Sequence, residues 1–309
     1  MPDRQTYKYD AAFDLSIGQR DQQEDAIAID FAEGAELGFI VLADGMGGHA
    51  AGDIASKIVV SEFREQLNEL KADPAFMEEN LECLLSQVLE DTNVRLHKAT
   101  QKTPETKGMG STLLAPMLFA NRLYWISVGD SPLYLFRGSR LFRLNEDHSV
   151  ASLVDALVLQ GRMTAQAAQQ HPDRNCLTSV ISGAEIEEID FRNTPLEMLE
   201  DDVLIAASDG LQFIQEQDIA KLVYKARGLT SKEIGAVLLQ AIDELAHPDQ
   251  DNVSLCILKV AASDAHAKKR DGSKSAEQIS LRRETRVVHS CCEPIAANQP
   301  IPEIREIKG

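Results

Sequence analysis

The amino-acid sequence predicts an α/β (α+β) sandwich built on antiparallel sheets. Two observations predict it. The strand-like segments come in groups joined by short turns, and the helical segments stand between the groups rather than after every strand. Direct strand-to-strand connections favour antiparallel pairing, because a parallel sheet needs a long crossover at each step.

Taken in order, residues 26–29 and 37–43 read as strands, the second apolar on both faces and so central. Residues 47–71 read as a helix, with Ile54, Ile58, Val59, Phe63 and Leu67 at helical spacing. A second helix follows Pro74 and runs through Leu81, Leu84, Leu85, Val88 and Leu96. A β-rich block comes next: residues 111–119, 123–128, 133–136 and 141–144, with turns at Asn121-Arg122 and Gly138-Ser139. Residues 150–170 are helical and alanine-rich, interrupted around Gly161. Strands return at 186–191 and 203–207. Helices near 218–225 and 231–245 precede a last strand at 253–260.

Residues 1–261 are expected to form one folded unit. Residues 262–309 are polar, rich in Lys, Arg, Ser and Pro, and without sustained periodicity, which predicts a disordered C-terminal tail. The 309 residues are 44% hydrophobic and 26% charged, the balance of a globular protein. Apolar runs such as Val203-Leu204-Ile205-Ala206-Ala207 are too short to cross a bilayer, and the first ten residues lack a secretory apolar stretch. No membrane partner and a cytoplasmic location are the expectations. Five cysteines without a CxxC pair suggest neither a disulfide framework nor a zinc site. Cys83 and Cys256 read as small core residues, and nothing further is read from Cys291-Cys292. Net charge is −18. The tail holds nine basic and seven acidic residues, so the preceding segment carries −20. Such a body repels nucleic-acid phosphates.

Four acidic clusters lie at strand ends: Glu24-Asp25, Asp44-Gly45, Asp209-Gly210 and Asp251-Asn252. A lone Asp-Gly marks a turn. Here two follow apolar strands in the same way, and a third acid precedes Asn252-Val253. Carboxylates at strand tips are held rigidly and repel one another unless a cation joins them. Glycine beside an acid lets backbone approach a ligand and frees a carbonyl. Hard cations such as Mg²⁺ or Mn²⁺ take oxygen ligands of this kind, so a two-metal centre is expected. Gly45-Met46-Gly47-Gly48-His49-Ala50 also satisfies a dinucleotide-binding pattern. Asp44 would then stand beside a pyrophosphate, and no second strand ends in an acid at the required distance. Arg20, just upstream of Glu24-Asp25, has the planar fork that suits phosphate.

These residues resemble the metal-dependent type 2C serine/threonine protein phosphatases, the PPM family, and specifically its bacterial branch. The likeness rests on Arg20-x-x-x-Glu24-Asp25, Ala43-Asp44-Gly45-Met46-Gly47-Gly48-His49, Gly110-Ser111-Thr112, Gly129-Asp130-Ser131, Ser208-Asp209-Gly210 and Asp251-Asn252-Val253-Ser254, in that order. It implies two central antiparallel sheets flanked by pairs of helices, and two Mn²⁺ or Mg²⁺ ions. Asp44 would bridge the ions, Asp209 and Asp251 would complete one, and Glu24 with the Gly45 carbonyl would serve the other. Asp25 would orient water and Arg20 would hold the substrate phosphate. The implied reaction is hydrolysis of phosphoserine and phosphothreonine in proteins by a metal-bridging hydroxide, without a phosphoenzyme, in opposition to a cognate serine/threonine kinase.

The chain departs from the family at three positions. Gln23 replaces a common Asn, and Pro132 a common Arg. Phe213 stands where many members carry an Asp for a third metal, leaving Asp130 and Asp209 as that site's candidate ligands. Animal relatives carry a candidate proton donor where this chain has Met46; His49, displaced from it, is expected near the substrate. Residues 149–183 are expected to form a flap in which Arg174 reaches phosphoprotein. The rivals are a pseudophosphatase that binds phosphoproteins without hydrolysing them, and a metal-dependent nuclease, which the acidic body and the lack of a basic groove disfavour. In the tail, Arg282-Arg283-Glu284-Thr285 resembles a site for a basic-directed kinase.

Overall fold

The computed structural model describes residues 7–32, 37–47 and 51–262. His49, Thr285, Cys291 and Cys292 lie outside them. The described strands form two antiparallel sheets. One runs β1 (Tyr7–Ser16), β11 (Val253–Ala262), β10 (Val203–Ala207), β7 (Leu133–Arg137), β8 (Arg140–Arg143). The other runs β2 (Asp25–Asp30), β3 (Leu37–Met46), β5 (Leu113–Phe119), β6 (Arg122–Val128), β9 (Asp190–Glu197), with the short β4 (Gly110–Ser111) against the end of β3.

Strand alternation builds the layers. In β3, Phe39, Val41 and Ala43 face α1 (Ala51–Leu70) and α3 (Leu81–Lys102), packing with Val59, Phe63, Leu85 and Leu89. Ile40 and Leu42 face the other way and meet Leu204, Ala206, Cys256 and Leu258 of the opposite sheet. In β10, Val203, Ile205 and Ala207 pack on α6 (Glu216–Ala226) and α7 (Ser231–Leu245). A strand apolar on both faces is therefore the mark of a position between a helix layer and a second sheet. Each fully buried Leu or Phe in these layers contributes about 1.5–3 kcal/mol. No described helix is long and apolar enough to cross a membrane.

The expected architecture is observed, with four local corrections. β1 carries no element in the sequence reading. Its alternate residues Asp10 and Asp14 mask the period, and both serve α7: Asp10 accepts from the Ser231 N–H at 2.8 Å, and Asp14 lies against Gly235. The expected second helix is broken at Asn80 into α2 (Pro74–Glu79) and α3, where the Asn80 side chain donates to the Phe76 carbonyl at 2.9 Å and competes with the helix ladder. The strand expected at 186–191 lies at Asp190–Glu197, and Pro195 is tolerated because β9 is an edge strand. β11 runs through Ala262, one residue into the expected tail; the rest of the tail lies outside the described residues. As expected, residues 150–170 divide near Gly161, into α4 (Val150–Leu159) and α5 (Ala165–Gln169).

Candidate metal centre

Antiparallel pairing brings the acids together. β2 begins at Asp25 where β3 ends, and the register sets Asp25 opposite Asp44. β10 ends at Ala207, opposite Leu255 near the start of β11, so Asp209 and Asp251 leave the other sheet side by side. Two hydrogen bonds join the sheets at this end. The Ser208 hydroxyl donates to Asp25 Oδ2 at 2.8 Å, and the Glu24 N–H donates to Asn252 Oδ1 at 2.7 Å.

Small polar residues fix the acids. The Asp44 N–H donates to Thr112 Oγ1 at 2.9 Å, the Thr112 N–H returns to the Asp44 carbonyl at 2.8 Å, and the Ser111 hydroxyl donates there at 3.1 Å. This exchange is why the strand expected over 111–119 is interrupted at Thr112. Asn252 Nδ2 donates to the carbonyls of Ile17 and Gln22 at 2.9 and 3.0 Å, clamping the loop that carries Arg20. Gly45 is required by close approach: a Cβ there would lie 2.0 Å from the Gly52 carbonyl oxygen at the start of α1. That contact also sets the Gly52 backbone against the Glu24 carboxylate.

The electrostatics are those of an anionic cluster taken out of water. Burial pushes Asp25 up to about 7, with Asp209 and Asp251 adding to the rise. Burial lifts Asp130 to about 7, helped by Asp209, and Asp209 to about 6, helped by Asp251. Asp44 is raised well above the usual range by burial and then by Asp25, Asp209, Asp130 and Asp251. Burial also raises Glu24, with Arg20 pulling against it. These are the two ways a carboxylate is discouraged from ionising, desolvation and like charge. Asp25 Oδ1 and Asp209 Oδ1 are buried without a hydrogen-bond partner. An all-oxygen donor set with orphaned, buried carboxylate oxygens fits a hard divalent cation. Among the described residues no group of three or more Asp, Glu, His or Cys side chains is arranged to hold a metal ion as it stands. Arg20 Nη2 pairs with Asp251 Oδ2 at 2.5 Å, while Asp251 Oδ1 accepts from the Asn252 N–H at 2.8 Å.

The structure thus gathers Arg20, Glu24, Asp25, Asp44, Gly45, Asp130, Asp209 and Asp251 at one end of the sandwich. Asp130 sits in a loop held from two sides. His148 Nδ1 accepts from the Gly129 N–H at 3.1 Å, and Arg143 Nη2 donates to the Asp130 carbonyl at 2.7 Å. Phe213 stacks edge-on against His247, ring centroids 5.1 Å apart, and adds no carboxylate to Asp130 and Asp209. Arg174 has a partner inside its own flap: it grips Asp155 of α4 in a bidentate ion pair at 2.8 and 2.7 Å. Thr112, Ser208 and Asn252 received no role from the sequence. Ser208 and Asn252 carried a signal, a hydroxyl or amide adjoining a strand-end acid; Thr112, 68 residues from Asp44, carried none.

Comparison with known proteins adds to this geometry. The profile of the family described as Protein phosphatase 2C matches residues 16–240. The serine/threonine phosphatase Stp of Listeria monocytogenes serotype 4b is 28% identical over 234 residues, covering 76% of this chain and 88% of Stp. A crystal structure of a bacterial serine phosphatase is similar with a TM-score of 0.69 and 30% identity, covering 82% of this chain and 98% of the other. The catalytic domain of the phosphatase PstP, crystallised in complex with two manganese ions, is similar with a TM-score of 0.61 and 28% identity, over 82% and 98% of the two chains.

Proposed function

The chain belongs to the protein phosphatase 2C family, and from that premise we propose that it hydrolyses phosphoserine and phosphothreonine in proteins at a two-metal centre. The observation that carries this reading is the set of raised carboxyls around Asp44, two of whose companions, Asp25 and Asp209, bury an oxygen without a partner. Asp44 would reach both cations. Asp209 and Asp251 would serve one, and Glu24 with the Gly45 carbonyl the other. The match to a phosphatase solved with two manganese ions supports that number, and Mn²⁺ and Mg²⁺ both suit the donor set. When bound, the cations supply Lewis acidity and an activated water for in-line attack on phosphorus.

The chain's own residues do the rest. Asp25, held at Oδ2 by Ser208, orients the attacking water with its other oxygen. Arg20 is paired with Asp251 and half-exposed; with Asp251 engaged by a cation, its guanidinium would be free to take two phosphate oxygens. In this reading water attacks phosphorus directly and no phosphoenzyme forms. A cognate serine/threonine kinase is the natural opponent.

The test is phosphate release from a phosphothreonine peptide with Mn²⁺, stopped by chelator and restored by Mn²⁺, with no radiolabel retained on the protein. Binding of the peptide without release would favour the pseudophosphatase, and chelator-resistant turnover would overturn the reading.

A further inference from the structure

A stripe of large apolar side chains lies in the open beside the metal centre. Phe13, Leu15 and Ile17 are 44%, 45% and 46% exposed, and they alternate along β1 and its exit. Side chains of directly opposed strand residues share a sheet face. Phe13 lies opposite Cys256 and Leu15 opposite Ser254. Cys256 belongs to the layer between the sheets, and the Ser254 hydroxyl lies near the Asp25 carboxylate. The stripe therefore looks onto the cleft between the sheets, at its acidic end. Further along β1, Tyr9 and Ala11 on the same face are covered, Tyr9 by an edge contact with Phe31 at 5.3 Å.

The stripe is also tied mechanically to the reacting end. The Ile17 carbonyl accepts from Asn252 Nδ2 at 2.9 Å and from the Arg20 N–H at 3.3 Å. Asn252 in turn receives the Glu24 N–H. β1 is a sheet edge, with β11 as its strand neighbour among the described residues. An extended chain laid along it meets backbone groups on one side and the apolar stripe on the other, the arrangement of strand addition. From Phe13 to Ile17 the stripe spans about 13 Å, the length of four extended residues. Residues 1–261 carry −20, which turns acidic flanks away.

We propose that Phe13, Leu15 and Ile17 form the docking strip for the polypeptide flanking the phosphorylated residue, selecting extended segments with large apolar side chains at alternate positions. This rests on the phosphatase reading above. It assigns the peptide specificity of that site to β1 rather than to the acids.

The experiment compares three substrates of the full chain with Mn²⁺: an aryl phosphate, a phosphothreonine peptide flanked on either side by alternating Ile or Leu, and the same peptide with Ser in those places. Wild-type protein prefers the apolar peptide in kcat/KM by roughly tenfold. Phe13→Ser with Leu15→Ser removes the preference and leaves the aryl phosphate rate at its reference level. The single Leu15→Ser variant, which removes one exposed side chain, gives a partial loss and guards against a folding defect in the double variant. Equal kcat/KM for the two peptides in wild type, or a preference that survives in the double variant, overturns the strip. So does a wild-type dimer in sedimentation that the double variant dissolves, since the occupant is then a second copy. If none of the substrates is hydrolysed, the phosphatase reading fails instead, and fluorescence anisotropy of the two labelled peptides decides the strip by the same ratio.

Discussion

β2–β3 and β10–β11 deliver their acids to the same end of the sandwich by the same device, an antiparallel pair whose ends coincide, yet they hold them differently. Asp25 is buried and Asp44 partly so, and both are locked, Asp44 by Thr112 and Asp25 by Ser208. On the other sheet, Asp251 is 30% exposed at its side chain and shared between Arg20 and the Asn252 N–H. The first pair is a fixed anchor, held in place by backbone and hydroxyl contacts. The second is adjustable, since its counter-charge is a movable side chain. A phosphoryl-transfer site needs both: rigid placement of the central charge, and a cationic group that can change partners when substrate arrives.

The largest expected effect follows from breaking the fixed side. Asp44→Asn keeps the shape and removes the charge at the centre of the cluster, so phosphatase activity falls to background and Mn²⁺ binding by calorimetry is lost. Asp251→Asn leaves measurable activity at raised Mn²⁺. Equal losses in the two variants would show that the anchor and the adjustable side do not differ.

The locks come next. Thr112→Val removes the acceptor of the Asp44 N–H, and Ser208→Ala the donor to Asp25. Residues that orient metal ligands cost roughly 10–100-fold in metal affinity or activity when replaced. The comparison predicts that Thr112→Val acts on Mn²⁺ affinity, and that Ser208→Ala lowers kcat at saturating Mn²⁺. A titration of rate against Mn²⁺ separates them.

The pH dependence of stability has a definite sign. Asp25 and Asp130 titrate near 7 and Asp209 near 6, all above their ordinary 3.8. In the metal-free protein the folded state therefore binds more protons than the unfolded state through this window. Their contribution is fully present below about 3.8 and is lost as pH rises through about 6–7. Cations that neutralise the cluster remove that loss. The gap in Tm between Mn²⁺-loaded and chelated protein widens from about pH 5.5 to about pH 8, and a gap that is flat with pH would count against these carboxyls as the metal ligands.

What the sequence made legible, and what it hid, divides along the same line. Asp44 and Asp209 could be read because each ends a strand apolar on both faces, and Arg20 because its charge stands beside two acids. The hydroxyls and amide that lock them could not. Thr112 and Asp44 are 68 residues apart, and only the register of β3 against β4 and β5 makes them neighbours. β1 was missed for a related reason. Its polar alternates face α7 through specific contacts, so the strand looks neither amphipathic nor core-like until α7 is in position. The break at Asn80 turned on one side-chain hydrogen bond, a local competition that apolar spacing does not register.

The smallest effect concerns the flap, where an expected substrate arginine has a structural partner. Asp155 is half-exposed and Arg174 less so, and an exposed ion pair of this kind contributes under about 1 kcal/mol. If clasping Asp155 is all that Arg174 does, then Arg174→Ala and Asp155→Ala shift KM for a phosphopeptide alike, and the double variant adds nothing further. If Arg174 also meets phosphoprotein, Arg174→Ala raises KM beyond Asp155→Ala, and freeing the guanidinium by Asp155→Ala lowers KM instead. The sign of the Asp155→Ala effect thus decides whether the flap belongs with the adjustable side of the site, as a second arginine waiting on substrate, or with the fixed side as a closed clasp.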